Sequence, residues 1–121
     1  MEGEVIGSKA RGTEGEDLAA VYLERQGYRI RNRNYRFGRG EIDIVAEDGE
    51  TLVFVEVKAR RSDSYGAPEE AVTVHKRRQI RKIAGGYLFE KRISDRECRF
   101  DVIAVEYAGG KPVLRHIQNA F

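Results

Sequence analysis

The chain has 121 residues, 40% of them hydrophobic and 35% charged, which fits one domain able to bury a core without disulfides or structural zinc. Lys plus Arg number 22 against 20 Asp plus Glu, a net charge of +2, so the placement of charge says more than its sum. A single cysteine, Cys98, excludes an intrachain disulfide and a Cys-rich zinc site. No apolar stretch approaches the roughly 20 residues that span a bilayer, and the acidic start Met1–Glu4 precedes no apolar run, so the expectation is a cytoplasmic protein without signal or membrane span.

Residues 1–12, rich in Gly and charge, read as a flexible N-terminal arm before a single domain over 13–121. Thr13-Glu14-Gly15-Glu16 has capping-box spacing and is expected to open a helix. Leu18, Ala19, Val21, Tyr22 and Leu23 supply its apolar face, and Gly27 closes it. Tyr28 to Tyr35 suggests a short strand and loop. Arg36-Phe37-Gly38-Arg39-Gly40 is a basic, Gly-punctuated connection.

Glu41 to Glu47 and Glu50 to Lys58 both alternate in polarity, and Asp48-Gly49 between them predicts a hairpin with a two-residue turn. That turn pairs Val45 with Leu52, Asp43 with Phe54 and Glu41 with Glu56. One hairpin face then carries Ile42, Ile44, Ala46, Val53, Val55 and Val57 as core. The other carries Val45, Leu52 and Phe54 at one end, and Glu41, Asp43, Glu56 and Lys58 at the other. Residues 61–72 read as a loop. A long helix is expected from about Thr73 to about Lys91, with Ile80, Ile83, Ala84, Tyr87 and Leu88 as its buried stripe. Phe100 to Tyr107 and Pro112 to Ile117 read as two strands around Gly109-Gly110.

Three carboxylates on one sheet face, with Lys58 as the cation among them, are costly unless they pair or bind a metal. Like charges directly opposite one another destabilise a sheet. A hard divalent cation, which prefers carboxylate and carbonyl oxygens, would relieve that repulsion. The alternative is a solvated strand end carrying an ordinary Glu–Lys pair. Lys58, Arg60 and Arg61 follow the acids directly, and His75, Lys76, Arg77, Arg78, Arg81 and Lys82 begin the second helix. Cations near a helix N-terminus oppose its dipole, so phosphate contact explains them better than helix stability does. Tyr35, Phe37 and Tyr65 lie among arginines where they suit base stacking. Tyr22, Tyr28 and Tyr87 sit at core spacing.

Asp43, a spacer, and then Glu56-Val57-Lys58 resemble the acidic residue and Glu-x-Lys of the PD-(D/E)xK nuclease-like superfamily. The strings GEIDIVAEDG, LVFVEVKAR, YGAPEEAV and HIQNAF, over about Gly12 to Phe121, resemble the YraN-like family of uncharacterised bacterial proteins. Ile42 stands where the superfamily often has proline. The resemblance implies an α/β, restriction-endonuclease-like core, a mixed β-sheet with flanking helices in the order αβββαββ. It implies Mg²⁺ or Mn²⁺ held by Asp43 and Glu56, with Lys58 orienting water or stabilising phosphoryl charge. Glu16 reads either as a fourth site residue, as in similar junction resolvases, or as the capping partner of Thr13. Glu41 and Asp101 are weaker candidates, and Lys76 points toward the sheet.

Two functions follow as expectations. One is a metal-dependent nuclease on DNA, including branched or structured forms in repair or recombination. The other is a non-catalytic nucleic-acid-binding module or adaptor on the same fold. A two-fold homodimer would let the protein engage two strands, though no stretch specifies one.

Overall fold

The computed structural model describes the backbone of residues 2–61 and 66–121, and their side chains from residue 13 onward except Arg61 and Ala108. A long helix, α1 (Glu2–Arg25), precedes three antiparallel strands, β1 (Arg29–Phe37), β2 (Gly40–Asp48) and β3 (Thr51–Arg61). A short 3-10 turn (Pro68–Ala71) and helix α2 (Val74–Glu90) lead to the hairpin β4 (Cys98–Ala108) and β5 (Lys111–Ile117). The sheet order is β1-β2-β3-β4-β5. Only the β3–β4 pair is parallel, because α2 carries the chain back to the start of the sheet. This is the mixed α/β sheet with flanking helices that the sequence implies.

Several local expectations are corrected. Helix α1 already runs through residues 2–12, so Thr13 lies inside it and Thr13…Glu16 is not a helix-opening cap. Strand β1 extends to Phe37 and takes in Tyr35 and Phe37, expected in loops. Tyr65 lies outside the described residues. Cys98 starts β4 and is exposed. At α2 the expectation holds closely: Thr73 is the N-cap, its side chain accepting from the Lys76 N–H at 3.2 Å.

The central hairpin turns one residue later than expected. Asp48 pairs with Thr51, leaving Gly49-Glu50 as the two-residue loop. Of that pair only Gly49 has positive φ, at 62°, which suits a II′ turn with Gly first. Asp48 instead holds Arg99 at 3.1 Å. Moving a two-residue turn by one residue moves the register by two, so Val45 faces Phe54 rather than Leu52. Strand side chains alternate with period two, so the shift by itself moves no side chain to the other face.

Each face of the sheet packs on one helix. Against α1 lie Ile44, Ala46, Val53, Val55, Ile103 and Val105, meeting Ala19, Ala20 and Leu23. Against α2 lie Ile42, Val45, Leu52, Phe54 and Val102, meeting Ile80, Ile83, Ala84 and Tyr87. Ile42 is therefore on the α2 side, not with Ile44. The cause is Asn34, whose φ of 52° is in the left-handed region that Asn tolerates better than most residues. Asn34 lies between Arg33, which pairs with Ile44, and Tyr35, which pairs with Ile42. Alternation breaks there: Arg33 bonds Asp17 on α1, and Tyr35 packs edge-on to Tyr87 on α2.

Adjacent glycines in α2 play different parts. A Cβ on Gly86 would come within 2.6 Å of the Phe37 ring, whereas one on Gly85 meets nothing within 4 Å. Gly85→Ala is expected to stabilise the protein by about 1 kcal/mol through helix propensity. Gly86→Ala must displace Phe37 and should be about 1–3 kcal/mol less stable than Gly85→Ala. Urea unfolding midpoints of the two variants measure the difference.

Candidate metal and phosphate site

The sheet forks at its centre. The β2–β3 ladder runs from Asp48↔Thr51 to Ile44↔Val55 and stops there. Strand β2 continues back to Gly40 beside β1, and β3 continues to Arg61 beside β4. Asp43, Glu56 and Val57 stand at the crotch of this notch. Asp43 Oδ2 accepts the Val57 N–H at 2.8 Å, so a side chain replaces the next ladder bond. The carboxylates of Asp43 and Glu56 adjoin and share a hydrogen bond.

Helix α1 brings Glu16 to the notch. Its preceding residue, Gly15, is buried against Ala59 and Val105, which sets the helix close to the sheet. Asn34 Nδ2 donates to Glu16 Oε1 at 2.9 Å and to Glu41 Oε2 at 3.1 Å. Oxygens of Glu16, Glu41 and Asp43 all lie within 4.8 Å of one another. From the opposite side Lys76, on the first turns of α2, places its Nζ 3.9 Å from Glu56 Oε2. Lys58 alternates onto the side of Glu56, close enough to favour that group's ionised form.

Asp43 holds a proton in this arrangement. Burial first, then the charge of Glu56 and those of Glu16 and Glu41, pushes Asp43 up to about 8, against the opposing Val57 bond. Burial likewise raises Glu56, while Lys76 and Lys58 pull it down. The pair therefore shares a proton with Asp43 as the donor, a state that a cation would replace.

Other candidates fall elsewhere. Asp101 pairs across from Val55, not Glu56, so it faces α1 and does not join the site. It is fully buried, bonded by Arg99 Nε at 3.0 Å, His116 Nε2 at 2.7 Å and the Asn119 N–H at 3.1 Å. Burial alone would raise its pKa, and these bonds outweigh that and hold it below the usual carboxylate range. Arg99 also reaches Tyr28 Oη at 2.6 Å, and Tyr22 Oη lies 3.1 Å from His116 Nδ1. These tyrosines thus pack in the core and close a structural polar network.

The basic residues divide. Arg60 is bound by Glu106 at 3.1 Å and by the Gly66 carbonyl at 2.7 Å. Arg77 donates to the Val72 and Glu69 carbonyls and lies over the Phe121 ring. Arg81 lies over Phe100 and Phe121. Arg78, Lys82 and His75 are exposed, and the side chain of Arg61 lies outside the described ones. Asn34 is the site residue that the sequence reading missed; an Asn between Arg33 and Tyr35 in an edge strand was the available signal.

No helix among the described residues is long and apolar enough to cross a membrane. A model of the uncharacterised protein family UPF0102 matches residues 15–105. A UPF0102 protein of Geobacter metallireducens is 53% identical over 114 residues, 94% of this chain and 93% of its own length. One from Geobacter sulfurreducens is 55% identical over 115 residues, 94% and 90% of the two chains. One from Symbiobacterium thermophilum is 50% identical over 115 residues, 94% and 98%. The matched span holds Glu16, Asp43, Glu56 and Lys58, and it covers the sheet from β1 into β4. This chain therefore belongs to the uncharacterised protein family UPF0102.

Proposed function

We propose that this protein is a divalent-metal-dependent phosphodiesterase of the PD-(D/E)xK type, acting on DNA, including branched or structured forms met in repair or recombination. The observation that carries the reading is the fork in the sheet. Four carboxylates from α1, β2 and β3 converge there, with Lys58 and Lys76 beside them. A fold has no use for such repulsion, and it leaves Asp43 holding a proton far above the usual range.

The donor set suits a hard cation such as Mg²⁺ or Mn²⁺: it is oxygen only, oxygens of Glu16, Glu41 and Asp43 lie within 4.8 Å of one another, and Glu56 adjoins Asp43. Asp43 and Glu56 would hold it, with Glu16 and Glu41 as adjoining acids. When bound, such an ion polarises a phosphoryl oxygen and lowers the pKa of water. Lys58 donates to the phosphoryl oxygens as their charge grows. Lys76 balances Glu56 from the α2 side. Asn34 orients Glu16 and Glu41 through its two N–H bonds. Hydrolysis then adds water across one P–O bond, the hydroxyl going to phosphorus and the proton to the leaving oxygen.

The test is cleavage of supercoiled, linear duplex, single-stranded and four-way-junction DNA with Mg²⁺ or Mn²⁺. Wild type is expected to cut at least one form, and Asp43→Ala and Lys58→Ala to cut none above background. Equal cutting by all three proteins would trace the activity to a contaminant. Salt-sensitive DNA binding without cleavage under either metal would favour the non-catalytic binding module instead.

A further inference from the structure

Beside the notch is a second concave feature that the chemistry above leaves unused. The β1–β2 turn leans over α2 and encloses a cavity of about 350 Å³. Phe37 and Ile83 form its apolar wall, Gln79 offers a carboxamide, and Arg39 and Lys82 stand at it as exposed cations. Among the described residues no carboxylate lines it. The Phe37 ring is 38% exposed while one of its faces is seated over Gly86, so the ring is braced from below yet open to a ligand.

The cavity adjoins the acidic site along two elements. Gly40 at its rim is three residues before Asp43 on β2. Gln79 is three residues, about one helical turn, beyond Lys76 on α2. A strand whose phosphate sat at the notch would thus have a neighbouring nucleotide at the cavity.

We propose that this cavity seats one unpaired nucleobase of the DNA, adjacent to the phosphate being cut. The base stacks on Phe37 and Ile83, Gln79 pairs with its edge, and Arg39 and Lys82 hold the flanking phosphates. The volume lies within the range of small-ligand pockets, which are mainly apolar with a few placed polar groups. A carboxamide both donates and accepts, matching a base edge. Two cations that have no acid partner among the described residues match the phosphates on either side. In a duplex the base faces are covered by stacking and the edges by the partner strand, so entry requires a single-stranded or branched position. The proposal rests on the phosphodiesterase reading for the placement of the phosphate, but base binding is measurable without cleavage.

The experiment uses the full chain in EDTA with a 12-nucleotide single strand carrying 2-aminopurine, and with a blunt duplex of the same sequence. Wild type is expected to quench 2-aminopurine in the single strand and to bind that strand more tightly than the duplex. Phe37→Ala should remove the quenching and weaken single-strand binding about tenfold, with less than a twofold change for the duplex. Lys82→Ala, on an exposed side chain, tests the same cavity without disturbing packing and should weaken single-strand binding several-fold. If both variants bind and quench as wild type does, the base site is wrong, while Asp43-dependent cleavage would leave the nuclease reading standing. Equal losses on single strand and duplex would mean phosphate contact alone and would also overturn it. Loss confined to the single strand, with no cleavage under any metal, would uphold the base site and remove the catalytic reading.

Discussion

Asp43→Asn is expected to raise the melting temperature of the metal-free protein at pH 8 by about 5–10 °C while abolishing metal-dependent cleavage. The folded-state pKa of Asp43 is pushed up to about 8, against about 3.9 for an unperturbed Asp. Between those values the folded state holds a proton that the unfolded state has lost, so stability falls as pH rises through this window. Below about pH 4 both states are protonated, and the penalty vanishes. Above about pH 8 the penalty is complete. A tenfold change in proton affinity is worth about 1.4 kcal/mol, and sharing of the proton with Glu56 leaves a net gain for Asn of about 2 kcal/mol. For a domain of this length that is the melting shift stated. Asn Oδ1 can still accept the Val57 N–H, so the strand contact survives. Thermal melts of wild type and variant in EDTA at pH 4.5 and pH 8 measure the effect. A gain at pH 8 that disappears at pH 4.5 is the expected pattern; a loss at both would mean that the ionised carboxylate stabilises the fold. Mg²⁺ or Mn²⁺ should raise the melting temperature of wild type at pH 8 and leave the variant unmoved.

Lys58→Ala is expected to lower the cleavage rate by about 10²–10³-fold, the cost of losing one preorganised donor to a developing oxyanion. Metal affinity should be unchanged or slightly tighter, because removing a cation leaves the carboxylates more negative. The two variants therefore separate: Asp43→Asn loses the metal-induced melting shift, and Lys58→Ala keeps it while losing turnover. Single-turnover cleavage and Mn²⁺ titration on the same preparation decide the matter. A tenfold loss of metal affinity in Lys58→Ala would make that lysine a structural partner of Glu56.

The sequence carried the faces of the central hairpin apart from Ile42, but not its fork. Alternation over Glu41–Glu47 and Glu50–Lys58 was legible because each strand is apolar on the helix-covered positions. The turn was misplaced by one residue, since Asp-Gly and Gly-Glu both make two-residue loops with a positive φ at Gly49, and only φ at Asp48, which is not positive, distinguishes them. The error was harmless to the faces because it changed the register by an even number. The departure of β2 from β3 after Ile44 was not legible. It depends on the left-handed turn of Asn34 and on Asp43 taking the Val57 N–H, neither of which has a periodic signature. Glu16 was legible only as an acid at helical spacing. Its approach to Asp43 needs the packing of α1 on Ala59 and Val105. Asp101 is the hydrogen-bonded strand residue rather than a site acid, but its partners Arg99, His116 and Asn119 were not legible, since they gather from two strands and the tail after them. Arg77 looked like surface charge because the carbonyls and ring that hold it are distant in sequence.

Strands β1 and β5 close the sheet on either side, and their composition bears on how copies of this protein can meet. Strand β1 carries Arg29, Arg31, Arg33 and Arg36, so laying it beside a second β1 would bring like charges together. Strand β5 holds Pro112 near its start with Lys111 before it, and proline withholds a donor from any added strand. Such features block edge-to-edge growth of sheets and the aggregation that follows from it. Neither border is thus suited to a continuous sheet between two copies, and a two-fold assembly would have to be built from the helical faces.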